Sequence, residues 1–332
     1  NRQARADAEH ALQLQPKLAA AQLAIGYSDY WGRGDYSAAL RAFAAALVLK
    51  PNDVDALEAQ GYVYQRQGRL DEAIASFQRA LTLDPRNSAL ARDLGVAYMY
   101  TSRYPDAKDA FQRALALDPD NLTARTSFAG AIVASTGDIP RALDVVQGDD
   151  PVLKSTRVEL LTYQRKYAAA LALLDSIPET PDNFDFAGAK AEQQADLYRL
   201  MGDDAHARTL FAQALPGTRA QLAARQGINL ASVWQAVADD ELGLGHTAAG
   251  LDAIAKGQAI DDKSGDQLYG PAHMVANSTL YAEARRADLA VPLLAKAIAA
   301  PGIGGYYAPV LLWLDPLWDP IRHDLRFQAL LK

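Results

Sequence analysis

Reactive chemistry would have to come from histidines, clustered carboxylates, glycine loops or activated nucleophiles, and the 332-residue chain contains no cysteine. The five histidines, His10, His206, His246, His273 and His323, lie far apart. None has a partner at metal-ligand spacing, and no HExxH occurs. They read as surface or inter-helix side chains. The glycine pairs Gly32/Gly34 and Gly243/Gly245 lack the preceding strand, and also the Lys-Ser/Thr or third glycine, that a phosphate-binding loop requires. No GxSxG or SxxK supports a nucleophilic hydrolase. The carboxylate runs at Asp149–Asp150 and at Asp239–Asp240–Glu241 are expected at helix ends, with their charge solvated. Cofactors and metals are therefore expected to be absent, and no catalytic residue is assigned.

The elements that carry these residues are legible in a repeat. Pro51, Pro85 and Pro119 stand 34 residues apart. Within that period Gly61 matches Gly95, Tyr64 matches Tyr98, Ala73 matches Ala107, Phe77 matches Phe111 and Ala80 matches Ala114. Such a period resembles that of repeat families whose units are paired helices, burying their apolar faces only by stacking on neighbours. Gly61 with Ala73, and Gly95 with Ala107, allow close approach within a pair. Tyr64 with Phe77, and Tyr98 with Phe111, are expected to fill the space between repeats. Asp84-Pro85 and Asp118-Pro119 end the second helix of their pairs, because proline cannot continue it.

This pattern resembles the tetratricopeptide repeat (TPR), with Leu57 and Ala91 where the family often has Trp. The resemblance implies an all-α fold: a TPR-type α-solenoid, a right-handed superhelix of antiparallel helix pairs, with a C-terminal cap. Residues 2–14 read as a half repeat. The next unit runs over about 19–52, with Gly26, Tyr36, Ala39, Phe43, Ala46 and Pro51 in family positions. Gly26 to Ala39 is 13 residues against 12 from Gly61 to Ala73. One residue is therefore inserted in the aromatic stretch Tyr27–Tyr36. After Pro119 the pattern fades: Phe128, Ala129, Ile132 and Ala142 outline a fourth unit, and Tyr167, Ala170 and Leu174 a fifth. Pro178, Pro181 and the residues between read as a longer loop. Tyr198, Ala207, Phe211 and Ala214 give a sixth unit, residues 228–260 a seventh, and Tyr281, Ala290, Leu294 and Ala297 an eighth. The expected domains are an N-terminal array over 1–151, a degenerate array over 152–301 and a capping segment over 302–332.

The apolar run from Leu289 to Leu314 is broken by Lys296, Pro301, Gly302, Gly304 and Gly305. It reads as two helices around a turn rather than a membrane span. The last stretch, from Tyr306, leaves the repeat. It resembles the closing segment of many bacterial TPR proteins through Leu314, Asp315, Pro316, Trp318, Asp319, Pro320, Ile321, Arg322, Asp324, Arg326, Phe327, Leu330 and Leu331. Trp313, Trp318 and Phe327 are expected to plug the end of the last helix pair, and Asp324 to pair with Arg326.

Half of the residues are hydrophobic and 22% are charged, which describes a folded chain. A net charge of −7 without a basic stripe argues against nucleic acid. What remains is surface. The resemblance implies that the first helix of each pair lines a concave groove for a protein or peptide ligand. The side chains expected there are Tyr27, Tyr30 and Trp31 in the first unit; Glu58, Tyr62, Gln65 and Arg66 in the second; and Arg92, Val96, Met99 and Tyr100 in the third. Aromatic and arginine residues dominate binding hot spots, although such tyrosines also pack between helices. The family's clamp for chaperone carboxylates uses Lys and Asn in the groove; Tyr62 and Val96 stand where its Asn would be, which argues against a cochaperone.

The opening and closing segments also resemble the C-terminal repeat regions of large bacterial signalling proteins, with a Ser/Thr kinase, an adenylate cyclase or a winged-helix domain before them. The resemblance implies a sensor or regulatory region placed in the periplasm, with a transmembrane helix and an effector domain upstream of Asn1; a cytoplasmic location is the alternative. Two further functions are expected alternatives: a free-standing assembly or secretion scaffold, and a small-molecule sensor.

Overall fold

The computed structural model describes residues 2–180, 189–225, 228–305 and 307–331. Pro181 of the expected loop and Tyr306 of the closing segment lie outside them. All regular elements among the described residues are helices, and two compact units, Asn1–Ala124 and Arg125–Lys332, divide the chain.

In the first unit α1 (Arg2–Leu14) packs on α2 (Ala19–Tyr27) as a half repeat ahead of three pairs: α2 with α3 (Tyr36–Leu49), α4 (Val54–Arg66) with α5 (Leu70–Leu83), and α6 (Ser88–Tyr100) with α7 (Tyr104–Leu117). The repeat sequence dictates this. Asp84 and Asp118 close α5 and α7 just ahead of proline. Two residues after each proline a side chain then caps the next helix: Asp53 accepts from the Ala56 amide, Asn87 from Leu90 and Asn121 from Ala124. Each cap satisfies an amide that the helix start leaves without a partner. Arg79 and Arg113, again 34 apart, reach back to the carbonyls of Pro51 and Pro85.

Phe43, Phe77 and Phe111 form the spine of this unit and are completely buried, as are Ala73, Ala80, Ala107 and Ala114. Each ring lies on the glycine of the preceding helix; a Cβ on Gly61 or Gly95 would stand 2.6 Å from it. The tyrosine partners differ from the sequence expectation. Phe77 packs edge-on against Tyr62 at 5.4 Å, whereas Tyr64 is half-buried beneath the Arg69 guanidinium at 4.4 Å. Tyr98 does bridge repeats, accepting a hydrogen bond from Gln78 of α5 at 2.8 Å.

The inserted residue is absorbed by a π-helical segment, Ser28–Arg33, that continues α2 and ends on Gly34 in the left-handed region (φ 64°). A wider turn takes up one residue without breaking the helix. It turns Asp29 inward, where Arg5 and Arg33 pair with its buried carboxylate.

The second unit holds α8 (Leu122–Thr136, which begins at the border), α9 (Ile139–Val145), α10 (Pro151–Tyr163), α11 (Tyr167–Asp175), α12 (Ala189–Leu200), α13 (Asp204–Ala224), α14 (Ile228–Gly243), α15 (Thr247–Ser264), α16 (Tyr269–Glu283), α17 (Ala287–Ile298), α18 (Pro309–Leu314) and α19 (Leu325–Leu330). Helices α10 to α17 pack as consecutive pairs. The apolar run becomes α17, a 3-10 turn and α18, and no helix among the described residues is long and apolar enough to cross a membrane.

The closing segment caps, but with different residues. Trp318 and Phe327 are fully buried and stacked at 5.4 Å, with Tyr307 edge-on to Trp318 at 6.1 Å. Trp313 is 57% exposed and does not join them, because α18 turns it outward and buries Leu312 instead. Nor does the segment cover only the last pair. Val310 and Leu314 lie over Gly137 at the end of α8, and Asp319 accepts two hydrogen bonds from Arg165, at 2.6 and 3.0 Å, in the turn after α10. The Asp324–Arg326 pair forms as expected, at 2.7 Å and largely exposed.

Candidate functional site

The first helices of the first unit carry all the proposed groove residues, and the structure sorts these into three groups. Tyr30, Gln65 and Met99 are buried: Tyr30 packs on Trp31 at 4.6 Å and on Tyr36 at 5.9 Å. For Tyr30 this is the inter-helix packing that tyrosines also serve; Gln65 and Met99, expected in the groove, are buried as well. Tyr27 is half-buried and edge-on to Phe43 at 5.4 Å; burial and then the Glu58 charge push its hydroxyl up to about 12. Arg66 donates to the Tyr36 hydroxyl at 3.1 Å, which ties α4 to α3. Trp31 is 68% exposed, and Tyr100 and Val96 are partly exposed.

The remaining residues meet in one network across α4 and α6. The Tyr62 hydroxyl lies within hydrogen-bonding reach of Glu58, at 3.1 Å, and of Asp93. Arg92 grips the other Asp93 oxygen through Nε at 2.9 Å and Nη2 at 2.7 Å. Burial, reinforced by the Asp93 charge, raises the Glu58 carboxyl above its usual range. Burial raises the Tyr62 hydroxyl too, so it stays a donor. A half-buried chain of donors and acceptors on consecutive first helices is stiff, and any group left unmatched in it is costly. Asp93 is absent from the sequence expectation. Its signal was weak: a lone acid beside Arg92 on a helix face.

The second unit repeats the arrangement with more charge. Arg199 of α12 donates to Asp196 at 2.6 Å, pairs with Asp239 of α14 at 3.4 Å, and contacts Glu283 of α16. Glu192 lies one turn before Asp196 on α12. Burial first, then mutual repulsion, raises Glu192, Asp196 and Glu283 well above ordinary carboxylates, against the pull of Arg199. Asp240, fully buried beside this set, is raised to about 7, chiefly by burial. The run at Asp239 therefore lies inside α14 rather than at a solvated helix end. Its acids face neighbouring helices because α14 continues to Gly243, four residues past the first of them. The signal available was positional: Arg199, Asp239 and Glu283 each fall near the end of the first helix of their pair.

His206, His246 and His273 each face one carboxylate, Asp203, Glu241 and Asp261 respectively. Among the described residues no group of three or more His, Asp or Glu side chains is placed to hold a metal.

Family patterns for the tetratricopeptide repeat match residues 28–88 and 89–121. Residues 28–121 are tetratricopeptide repeats. The crystal structure of a tetratricopeptide repeat protein from Parabacteroides merdae aligns with a TM-score of 0.52 at 17% identity, over 73% of this chain and 93% of that one. The structure of Pseudomonas aeruginosa pilF aligns at 0.47 with 19% identity, over 59% and 89%. The APC/C hetero-tetramer Cut9–Hcn1 aligns at 0.47 with 14% identity, over 99% of this chain and 58% of that chain. The first likeness bears on the fold alone. No curated protein matches the sequence. Repeats of this family imply a protein–protein interaction module.

Proposed function

We propose that the chain is a non-catalytic module that recognises a protein or peptide on the first-helix face of its N-terminal unit. One observation carries this reading. Glu58, Tyr62, Arg92 and Asp93 form a half-buried polar network across two consecutive first helices, where packing alone asks only for apolar side chains. Trp31, 68% exposed on the extension of α2, supplies an aromatic anchor of the kind that dominates interfaces. The test is affinity for the tightest peptide selected from a random displayed library. Tyr62→Phe keeps the ring on Phe77 and removes only the hydroxyl; Trp31→Ala removes an exposed ring. Each is expected to weaken binding at least about tenfold with the helical signal unchanged, and unaltered affinity in both would refute the site.

The finer role we propose is the sensor or regulatory region of a bacterial membrane signalling protein such as a Ser/Thr kinase, on the periplasmic side. The support is the resemblance of the closing segment from Leu314 to Leu331. Reading the open reading frame ahead of Asn1 tests it: an effector domain followed by about 20 apolar residues is expected. A start codon within a few dozen residues would contradict the role while leaving the recognition face untouched.

A further inference from the structure

A separate cleft of about 170 Å³ opens between α15, α16 and α17 in the second unit. It is roomy enough for a small organic molecule. Its wall contains Asn277, which is fully buried. Gln235 Nε2 donates both to the His273 carbonyl and to Asn277 Oδ1, each at 3.1 Å. That pairing fixes the Asn277 amide: the atom facing a donor must be its oxygen, so its Nδ2 points the other way. There it meets no partner among the described residues. A buried donor without an acceptor is costly, and natural folds rarely keep one without a use.

The rest of the lining says what that acceptor belongs to. Gln258 receives the Tyr281 hydroxyl on its oxygen at 3.4 Å, which leaves its amide nitrogen to donate. The exposed Lys296 adds an ammonium to the lining. Two amides and one ammonium are a receptor for a carboxylate. On the acidic side, His273 holds one oxygen of Asp261 at 2.8 Å, while the neighbouring Asp262 is exposed and without an ion pair among the described residues. Met274 and Leu293 supply an apolar patch. A guest with only a carboxylate would be repelled by the two acids, and a guest with only an amine would leave the donors unused. A guest with both charges satisfies every group.

We propose that this cleft binds a small zwitterion of the α-amino-acid class, its carboxylate on Asn277, Gln258 and Lys296, its ammonium on Asp262, and its side chain on Met274 and Leu293. The site is independent of the recognition face of the other unit.

Isothermal titration of the full chain with L-alanine tests the assignment, with acetate and methylammonium as probes that carry one charge each. Saturable binding of alanine is expected, with both single-charge probes at least about tenfold weaker. Lys296→Ala and Asp262→Asn, both at exposed positions, are expected to fold normally by circular dichroism and to weaken alanine by a similar factor. No saturable heat with alanine at millimolar concentration would overturn the proposal. So would acetate binding as tightly as alanine, or affinity unchanged in both variants.

Discussion

Each repeat of the first unit depends on a hydrogen atom where other residues carry a methyl group. Alanine favours a helix over glycine by about 1 kcal/mol, so Gly61→Ala would stabilise α4 if only propensity counted. The new Cβ would stand 2.6 Å from the rigid Phe77 ring, and overpacking of that kind costs about 1–3 kcal/mol. Packing wins, and urea unfolding is expected to show a net loss. Gly130→Ala is the matched control: it lies on an exposed face of α8 with nothing within 4 Å of the added methyl, and should be neutral to stabilising by up to about 1 kcal/mol. At the same scale the Arg199 cluster sets a pH dependence. Burial and then mutual repulsion raise Asp196, Glu283 and Glu192, and burial raises Asp240 to about 7. Above about pH 4 the unfolded chain releases these protons while the folded chain keeps them. The folded state then binds more protons, so stability falls as pH rises through this window. The melting temperature should drop from pH 5 toward pH 9, and Glu283→Gln should flatten the slope. A melting temperature that rises over that window would contradict the assignment.

At the scale of the element, the sequence showed the three helix pairs of the first unit because proline, glycine and alanine at a period of 34 act locally; past Pro119 that period fades, and the later units were outlined only by scattered aromatic and alanine positions. It also showed that one residue is extra before Tyr36. What it could not show was how the excess would be taken up, since a bulge, a longer loop and a π turn share the same spacing. The structure chooses the π turn, and the choice buries Asp29 between Arg5 of α1 and Arg33. Asp29→Ala is expected to cost about 1–3 kcal/mol, the range for a buried charge-assisted pair, and to loosen α1 first in hydrogen exchange. The candidate site was less legible than the fold. First helices could be read off the repeat, but which side of each helix meets a neighbour depends on rotation. For that reason Gln65 and Met99 are buried while Glu58, Tyr62 and Arg92 converge on Asp93.

At the scale of the molecule, the closing segment joins the first and last helix pairs of the second unit. Trp318 is the core of that closure, and Trp318→Ala should cost about 3–5 kcal/mol, as for other fully buried large aromatics. Arg165→Ala removes a surface pair that is more than 40% exposed on both sides and should cost at most about 1 kcal/mol. Both are read by chemical denaturation. The central claim remains that the repeat array recognises a partner through its first helices. Hydrogen–deuterium exchange of the chain, free and bound to its tightest selected peptide, tests it most directly. Protection is predicted along α4 and α6, residues 54–66 and 88–100, and around Trp31. Protection confined to α3, α5 and α7, or to the closing segment, would contradict the account.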